Sequence, residues 1–162
     1  MSAIEKLLQN KVLIAALLAW LLAQVIKTVI QSCISKEFRV ERLWGAGGMP
    51  SAHSAMVCAL TISTARFYGV SSPIFALTLV VAFITVYDAM GVRRETGRHA
   101  KLLNRYLNEL EQEKADVDGD GVPDLKFNTI DLKELIGHTP LEVLGGVILG
   151  VLVGTVLPII PV

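Results

Sequence analysis

Apolar residues in this chain gather into four long blocks, Val12–Ile34, Ser51–Tyr68, Pro73–Val92 and Leu141–Pro161, with charged and turn-forming residues between them. Within a block the apolar positions run around most of the helix instead of keeping to one stripe, so each helix needs an apolar surrounding on nearly every side. Each block is also long enough to cross a hydrocarbon core, which takes roughly 17–25 residues. The pattern predicts an all-α, integral membrane helical bundle with about four transmembrane helices, forming a single domain over residues 1–162. The second block is the least apolar. It opens in a polar cluster and carries Thr61, Ser63 and Thr64, so it is expected to sit half-buried in protein. The first block follows Lys6 and Lys11 as a secretory leader would, but it runs on past Lys27 without a small-residue cleavage site and reads as a retained helix.

The interruptions of the apolar pattern are informative. In the first block Gln24, Lys27, Thr28 and Gln31 recur at steps of three and four, making one polar stripe. A snorkelling lysine accounts for Lys27 alone, whereas a stripe of four fits a polar lining turned inward. In the linker 93–140, Leu102, Leu103, Tyr106, Leu107 and Leu110 recur among charges between Glu95 and Lys114, with His99 on the same face. That is the pattern of an amphipathic helix lying on a membrane surface. The acidic stretch "DVDGDGVPD" follows, with Asp116, Asp118, Asp120 and Asp124 spaced like the first nine positions of a calcium loop. Its twelfth position is Phe127, so it is either a solvated acidic turn or a calcium site. "DLKELIG" then predicts a short helix, with Asp131 and Glu134 as a capping box and Gly137 as its stop. In the last block Gly146, Gly150 and Gly154 share one helix face, which serves either close packing inside the bundle or a homodimer seam.

Charge changes this picture in one respect. The formal net charge is zero, which argues against a nucleic-acid partner. Yet eleven of the fifteen Lys and Arg lie in the linkers 35–50 and 93–140, so by the positive-inside tendency those linkers are expected on the cytoplasmic side of a plasma membrane. The two cysteines, Cys33 and Cys58, have neither metal-site nor disulfide spacing.

The same side collects the candidate chemistry. "GGMPSAHSA", residues 47–55, places glycines, among them Gly48, and Ser51 before a helix start, where backbone N–H groups and the positive end of the helix dipole attract an oxyanion. His53 adds a proton donor that titrates near neutrality. Plain capping by Ser51 explains the serine but leaves the histidine unexplained. "YDAMGVRR" ends the third block with Arg93 and Arg94, either interfacial anchors or planar forks for phosphate oxygens, and Asp88 would orient one of them or pair with Lys27. "GHTPLEV" opens the fourth block with Thr139, Pro140 and Glu142 as a helix start, and Glu142 follows His138 at a spacing that lets a carboxylate hold the imidazole. Two histidines and several cations, with no carboxylate cluster among them, suggest phosphoryl transfer through a phosphohistidine with no cofactor required. A substrate met at the bilayer would be a lipid phosphate.

Three blocks, "GGMPSAHSA", "YDAMGVRRETGRHAKLLN" and "LKELIGHTPLEVLGG", resemble the signature blocks of the divergent branch of the type-2 phosphatidic acid phosphatase family, related to acid phosphatases and vanadium-dependent haloperoxidases. The resemblance extends over nearly the whole chain and implies a metal-independent, histidine-based phosphatase in an all-helical membrane fold. "PSAH" at Pro50–His53 is similar to the family's Pro-Ser-Gly-His, with alanine for glycine. It implies Ser51 as a phosphate donor and His53 as the general acid. His138 and Glu142 keep the family's histidine–acid spacing with glutamate for aspartate, and Arg93 or Arg94 would bind phosphate. A competing alignment pairs Arg93 with His99 as nucleophile, but Leu103 then stands where the acid belongs. The lysine–arginine block maps onto Lys27 or Lys36 with Arg39 or Arg42. The implied substrates are phosphatidate, phosphatidylglycerophosphate or a polyprenyl pyrophosphate. The alternative is a catalytically silent protein that binds or moves phospholipid, modulated by calcium.

Overall fold

The computed structural model describes residues 2–35, 48–115, 132 and 137–157. Within them the chain forms six helices and no strand: α1 (Ala3–Gln9), α2 (Lys11–Ser35), α3 (Ala52–Tyr68), α4 (Pro73–Met90), α5 (Val92–Ala115) and α6 (Pro140–Val156). The all-α bundle expected from the apolar blocks is what forms, with one addition. The short α1 has a capping box built from Ser2 and Glu5, and the Oδ1 of Asn10 then accepts the Leu13 N–H at 3.0 Å to start α2.

Helix α3 lies at the centre, packed against α2, α4 and α6. Its position explains its low hydropathy. The Thr61 hydroxyl donates to the Val57 carbonyl at 2.8 Å and lies 3.1 Å from that of Thr78, and the Thr64 hydroxyl donates to Leu60 at 2.7 Å. Polar side chains bonded in this way tolerate burial in protein, and the half-buried second block of the sequence is this inner helix.

The seams of the bundle are built from small residues. Ala15, Ala19 and Ala23 of α2 and Ala52, Ala55 and Ala59 of α3 are buried, while Leu17, Leu21, Val29, Leu77, Phe83, Ile84, Leu144, Ile148 and Leu152 are exposed. Gly146 and Gly150 of α6 lie against the carbonyls of Ser51 and Ala55, and Gly154 against the Ile62 side chain. The face carrying these three glycines is therefore taken up by α3 of the same chain. Small residues inside and large apolar residues outside invert the arrangement of a water-soluble core, and they suit helices that associate in lipid by close backbone approach.

Among the described residues two stretches are long and apolar enough to cross a membrane by themselves, Lys11–Ile34 and Pro73–Glu109, the second running from α4 through the break at Gly91 into α5. Helix α6 is apolar but only 17 residues long, about 26 Å at the usual rise. It stops at Val156 and not at Pro161. The Arg66 guanidinium donates to the carbonyls of Gly154 and Leu157 at 2.8 and 2.9 Å, closing the C-terminal end of α6. The short helix expected from "DLKELIG" falls outside the described residues apart from Leu132 and Gly137.

Candidate active site

Three helix ends meet at one end of the bundle: the start of α3, the start of α6 and the junction of α4 with α5. Two glycines make the meeting possible. Gly137 has a φ of +91°, and a Cβ there would lie 2.5 Å from the Arg94 backbone nitrogen, so only glycine lets the chain pass over the α4–α5 junction. Gly48, with a φ of +86°, covers the stem of Lys27; a Cβ there would come within 3.1 Å of the lysine Cγ and Cδ.

Past Gly137 the His138 N–H donates to the Ala89 carbonyl at 3.1 Å, using one of the acceptors that the end of α4 leaves open. His138 Nδ1 then lies 3.1 Å from Glu142 Oε2, and the same oxygen accepts the Thr139 N–H at 2.9 Å. Thr139 Oγ1 accepts the Glu142 N–H at 3.4 Å, completing the capping box. The two uses foreseen for Glu142, helix cap and imidazole holder, are both present. Holding Nδ1 fixes the ring and leaves Nε2 as the nitrogen available for chemistry.

The start of α3 is tied to α6 by its backbone. The Ser51 N–H donates to the Glu142 carbonyl at 2.9 Å. The Ser51 side chain is fully buried, its Oγ accepts the Ser54 hydroxyl at 3.0 Å, and it makes no cap bond to α3. The first turn of α3 thus keeps its N–H groups without a side-chain cap, and His53 stands exposed on that turn.

Lys27, Gln24 and Thr28 are buried, so the polar stripe of α2 faces inward as expected, and the Thr28 hydroxyl donates to the Gln24 carbonyl at 2.8 Å. Lys27 reaches this end of the bundle beneath Gly48, which packs on its stem, and the Arg93 backbone lies beside Gly137, next to His138. The structure therefore gathers His53, His138, Glu142, Lys27 and Arg93. Asp88 accepts from Arg93 Nε at 2.6 Å, so its partner is this arginine and not Lys27. Arg94 contributes its backbone beside Gly137. His99 is exposed farther along α5. Arg42 lies outside the described residues, together with Lys36, Arg39 and the aspartates Asp116, Asp118, Asp120 and Asp124.

Asn104 was not singled out by its sequence context. Its Nδ2 donates to the Leu132 carbonyl at 2.9 Å and its Oδ1 accepts the Leu132 N–H at 3.1 Å. Five residues before Gly137, this clamp fastens the chain that delivers His138. The available signal was its position on a face with Gly97 and Ala100, the buried side of α5.

These features have counterparts among known sequences. A family model described as the divergent PAP2 family matches residues 8–153. The chain belongs to the divergent PAP2 family. The match takes in α2 to α5 whole, most of α6 and all the residues gathered at the site. A curated relative, "Uncharacterized membrane protein YuiD" of Bacillus subtilis (strain 168), is 38% identical over 152 residues, covering 94% of this chain and 96% of the relative. No solved structure matches. This divergent PAP2 protein thus shares nearly its whole length with a protein named for the membrane, in keeping with its apolar exterior.

Proposed function

We propose that this divergent PAP2 protein is a membrane lipid phosphatase that works without a metal, through a phosphohistidine at His138. The observation that carries the proposal is the convergence of two histidines with two cations, one histidine held by a carboxylate and the other exposed at an uncapped helix start. The phosphate of a lipid monoester or pyrophosphate lies at the first turn of α3, where free N–H groups and the helix dipole favour an anion. Lys27 and Arg93 face its non-bridging oxygens. Nε2 of His138 attacks phosphorus, the bond from phosphorus to the lipid oxygen breaks, and that oxygen takes a proton from the His53 imidazolium. Water then attacks the phosphohistidine while neutral His53 accepts its proton. The phosphorus–nitrogen bond breaks, phosphate leaves, and both histidines return to their starting states. Glu142 holds the His138 ring throughout and balances its charge while phosphorylated. The distribution of Lys and Arg supports a cytoplasmic site on a plasma membrane protein.

Burial of Ser51, bonded to Ser54 instead of facing the open turn, favours a second possibility: a protein that binds lipid phosphate without hydrolysing it. The test is phosphate release from phosphatidate, phosphatidylglycerophosphate and a polyprenyl pyrophosphate by purified protein in detergent with a chelator present. Release that is lost in both His53→Ala and His138→Ala supports the phosphatase. Binding of these lipids without release by the unaltered protein supports the silent binder.

A further inference from the structure

Helix α5 carries three faces of different character. At about 100° per residue, Gly97, Ala100 and Asn104 share the first; it is buried, and Asn104 holds Leu132 there. The second holds Leu102, Leu103 and Tyr106, which are 64%, 53% and 62% exposed. The third is a row at steps of four, three and four, Arg94, Arg98, Lys101 and Arg105. Arg98 and Arg105 pair with Glu95 and Glu109 along the same helix at 2.7 and 2.8 Å, and pairs this exposed contribute little and leave the cations facing outward.

Neither water nor protein suits this combination. A helix facing water has no use for three large apolar side chains on one face, and a helix inside protein would bury the guanidinium row. The exposed apolar surface of α4, with Phe83, Ile84 and Tyr87, continues through Val92 onto the apolar face of α5. Helix α5 thus leaves the apolar belt of the bundle at Gly91 with its own apolar face still uncovered by any described residue.

We infer that α5 docks on an anionic lipid surface, with Leu102, Leu103 and Tyr106 in the acyl boundary and Arg98, Lys101 and Arg105 against anionic head groups. Apolar burial and cationic attraction to such head groups act together in helices of this kind. Because α5 carries Arg93 in its first turn and fastens Leu132, the docked helix sets the height of the site above the hydrocarbon. The inference concerns placement and is independent of hydrolysis.

The test uses the full chain with Cys33 and Cys58 replaced by serine, reconstituted in nanodiscs of phosphatidylcholine alone or mixed with phosphatidylglycerol. A spin label is placed at Leu103→Cys or Tyr106→Cys, and at the exposed Asn108→Cys as the water-facing reference. Collision with oxygen reports lipid, and collision with a nickel chelate reports water. The expected result is a label at 103 and 106 favouring oxygen and a label at 108 favouring nickel. The contrast should grow several-fold with phosphatidylglycerol, and the growth should be abolished by Arg98→Gln with Arg105→Gln. Labels at 103 and 106 as open to nickel as that at 108 would overturn the docking. Labels closed to both reagents would mean that protein covers the face, and equal contrast in the two lipids would overturn the preference for anionic head groups.

Discussion

Two helices begin at the candidate site with the same ingredients, a hydroxyl residue at the start and a histidine beside it, and they use them in opposite ways. At α6 the hydroxyl of Thr139 caps the helix, Glu142 completes the box, and His138, just before the cap, is fixed by the same carboxylate. At α3 the hydroxyl of Ser51 turns inward to Ser54, the first turn stays uncapped, and His53, just after the start, is exposed. The neighbouring helices supply the cause. Gly146 brings α6 against the Ser51 carbonyl, and the Ser51 N–H is drawn to the Glu142 carbonyl, so the serine is held by α6 and withdrawn from its own helix. The difference matches the two roles in the proposed mechanism: the closed start holds a histidine still, as a nucleophile requires, and the open start has room for an anion and a mobile proton donor.

That division of labour can be broken residue by residue. The largest effects are expected at the histidines. His138→Ala removes the atom that is phosphorylated and should lower phosphate release by about 10³-fold or more, while His53→Ala should lower it by about 10²–10⁴-fold. The two should separate on a substrate with an acidic leaving group such as 4-nitrophenyl phosphate, where His53→Ala recovers much of its rate and His138→Ala recovers none. Next comes Glu142→Gln. Glutamine still serves a capping box, so stability should change little, but the neutral amide no longer balances the His138 charge and turnover should fall about 10²-fold. Thr139→Ala is its mirror image, with thermal or denaturant unfolding shifted by about 1 kcal/mol and activity per folded molecule near that of the unaltered protein.

A smaller loss is expected from Asn104→Ala, which frees Leu132 and lets His138 drift: kcat should fall about ten- to hundredfold with KM nearly unchanged. Asn104→Asp keeps the acceptor for the Leu132 N–H and should fall between the two. Equal losses in kcat and stability for both variants would mean that Asn104 only supports the fold. The smallest effect belongs to Ser51→Ala, at about 1 kcal/mol of stability for its buried hydrogen bond, with activity nearly intact. A large loss of activity there would mean that Ser51 turns out to meet the phosphate, and the contrast between the two helix starts would fail.

Much of this was legible in the chain because it is local. The inward polar stripe of α2 follows from steps of three and four, and the hold of Glu142 on His138 follows from a four-residue spacing on one helix. The inner place of α3 follows from Thr61, Ser63 and Thr64, which lipid would not accept. What was not legible depends on distant partners. Asn104 finds Leu132 across 28 positions and Arg66 finds Gly154 across 88, and neither contact leaves a periodic trace. Ser51 read as a phosphate donor, or more plainly as a cap, yet α6 packs its glycine face on this residue and the serine hydroxyl is buried against Ser54. Neither alignment of the second histidine was complete in the sequence: His138 keeps the acid at Glu142 but not the near arginine, and His99 keeps the gap from Arg93 but meets Leu103 where the acid belongs; in the structure His138 is held by Glu142 and His99 is exposed on α5.

The central claim is that His138 carries the phosphoryl group, and the direct measurement is to catch it there. Purified protein is mixed with a lipid phosphate bearing radioactive phosphorus in its terminal group, quenched in alkali, and cleaved so that His53, His99 and His138 fall on separate peptides. The account predicts an alkali-stable, acid-labile label on the peptide containing His138, absent from His138→Ala and retained in His99→Ala. Phosphate release without any such label, or a label on His99 that survives His138→Ala, would contradict it.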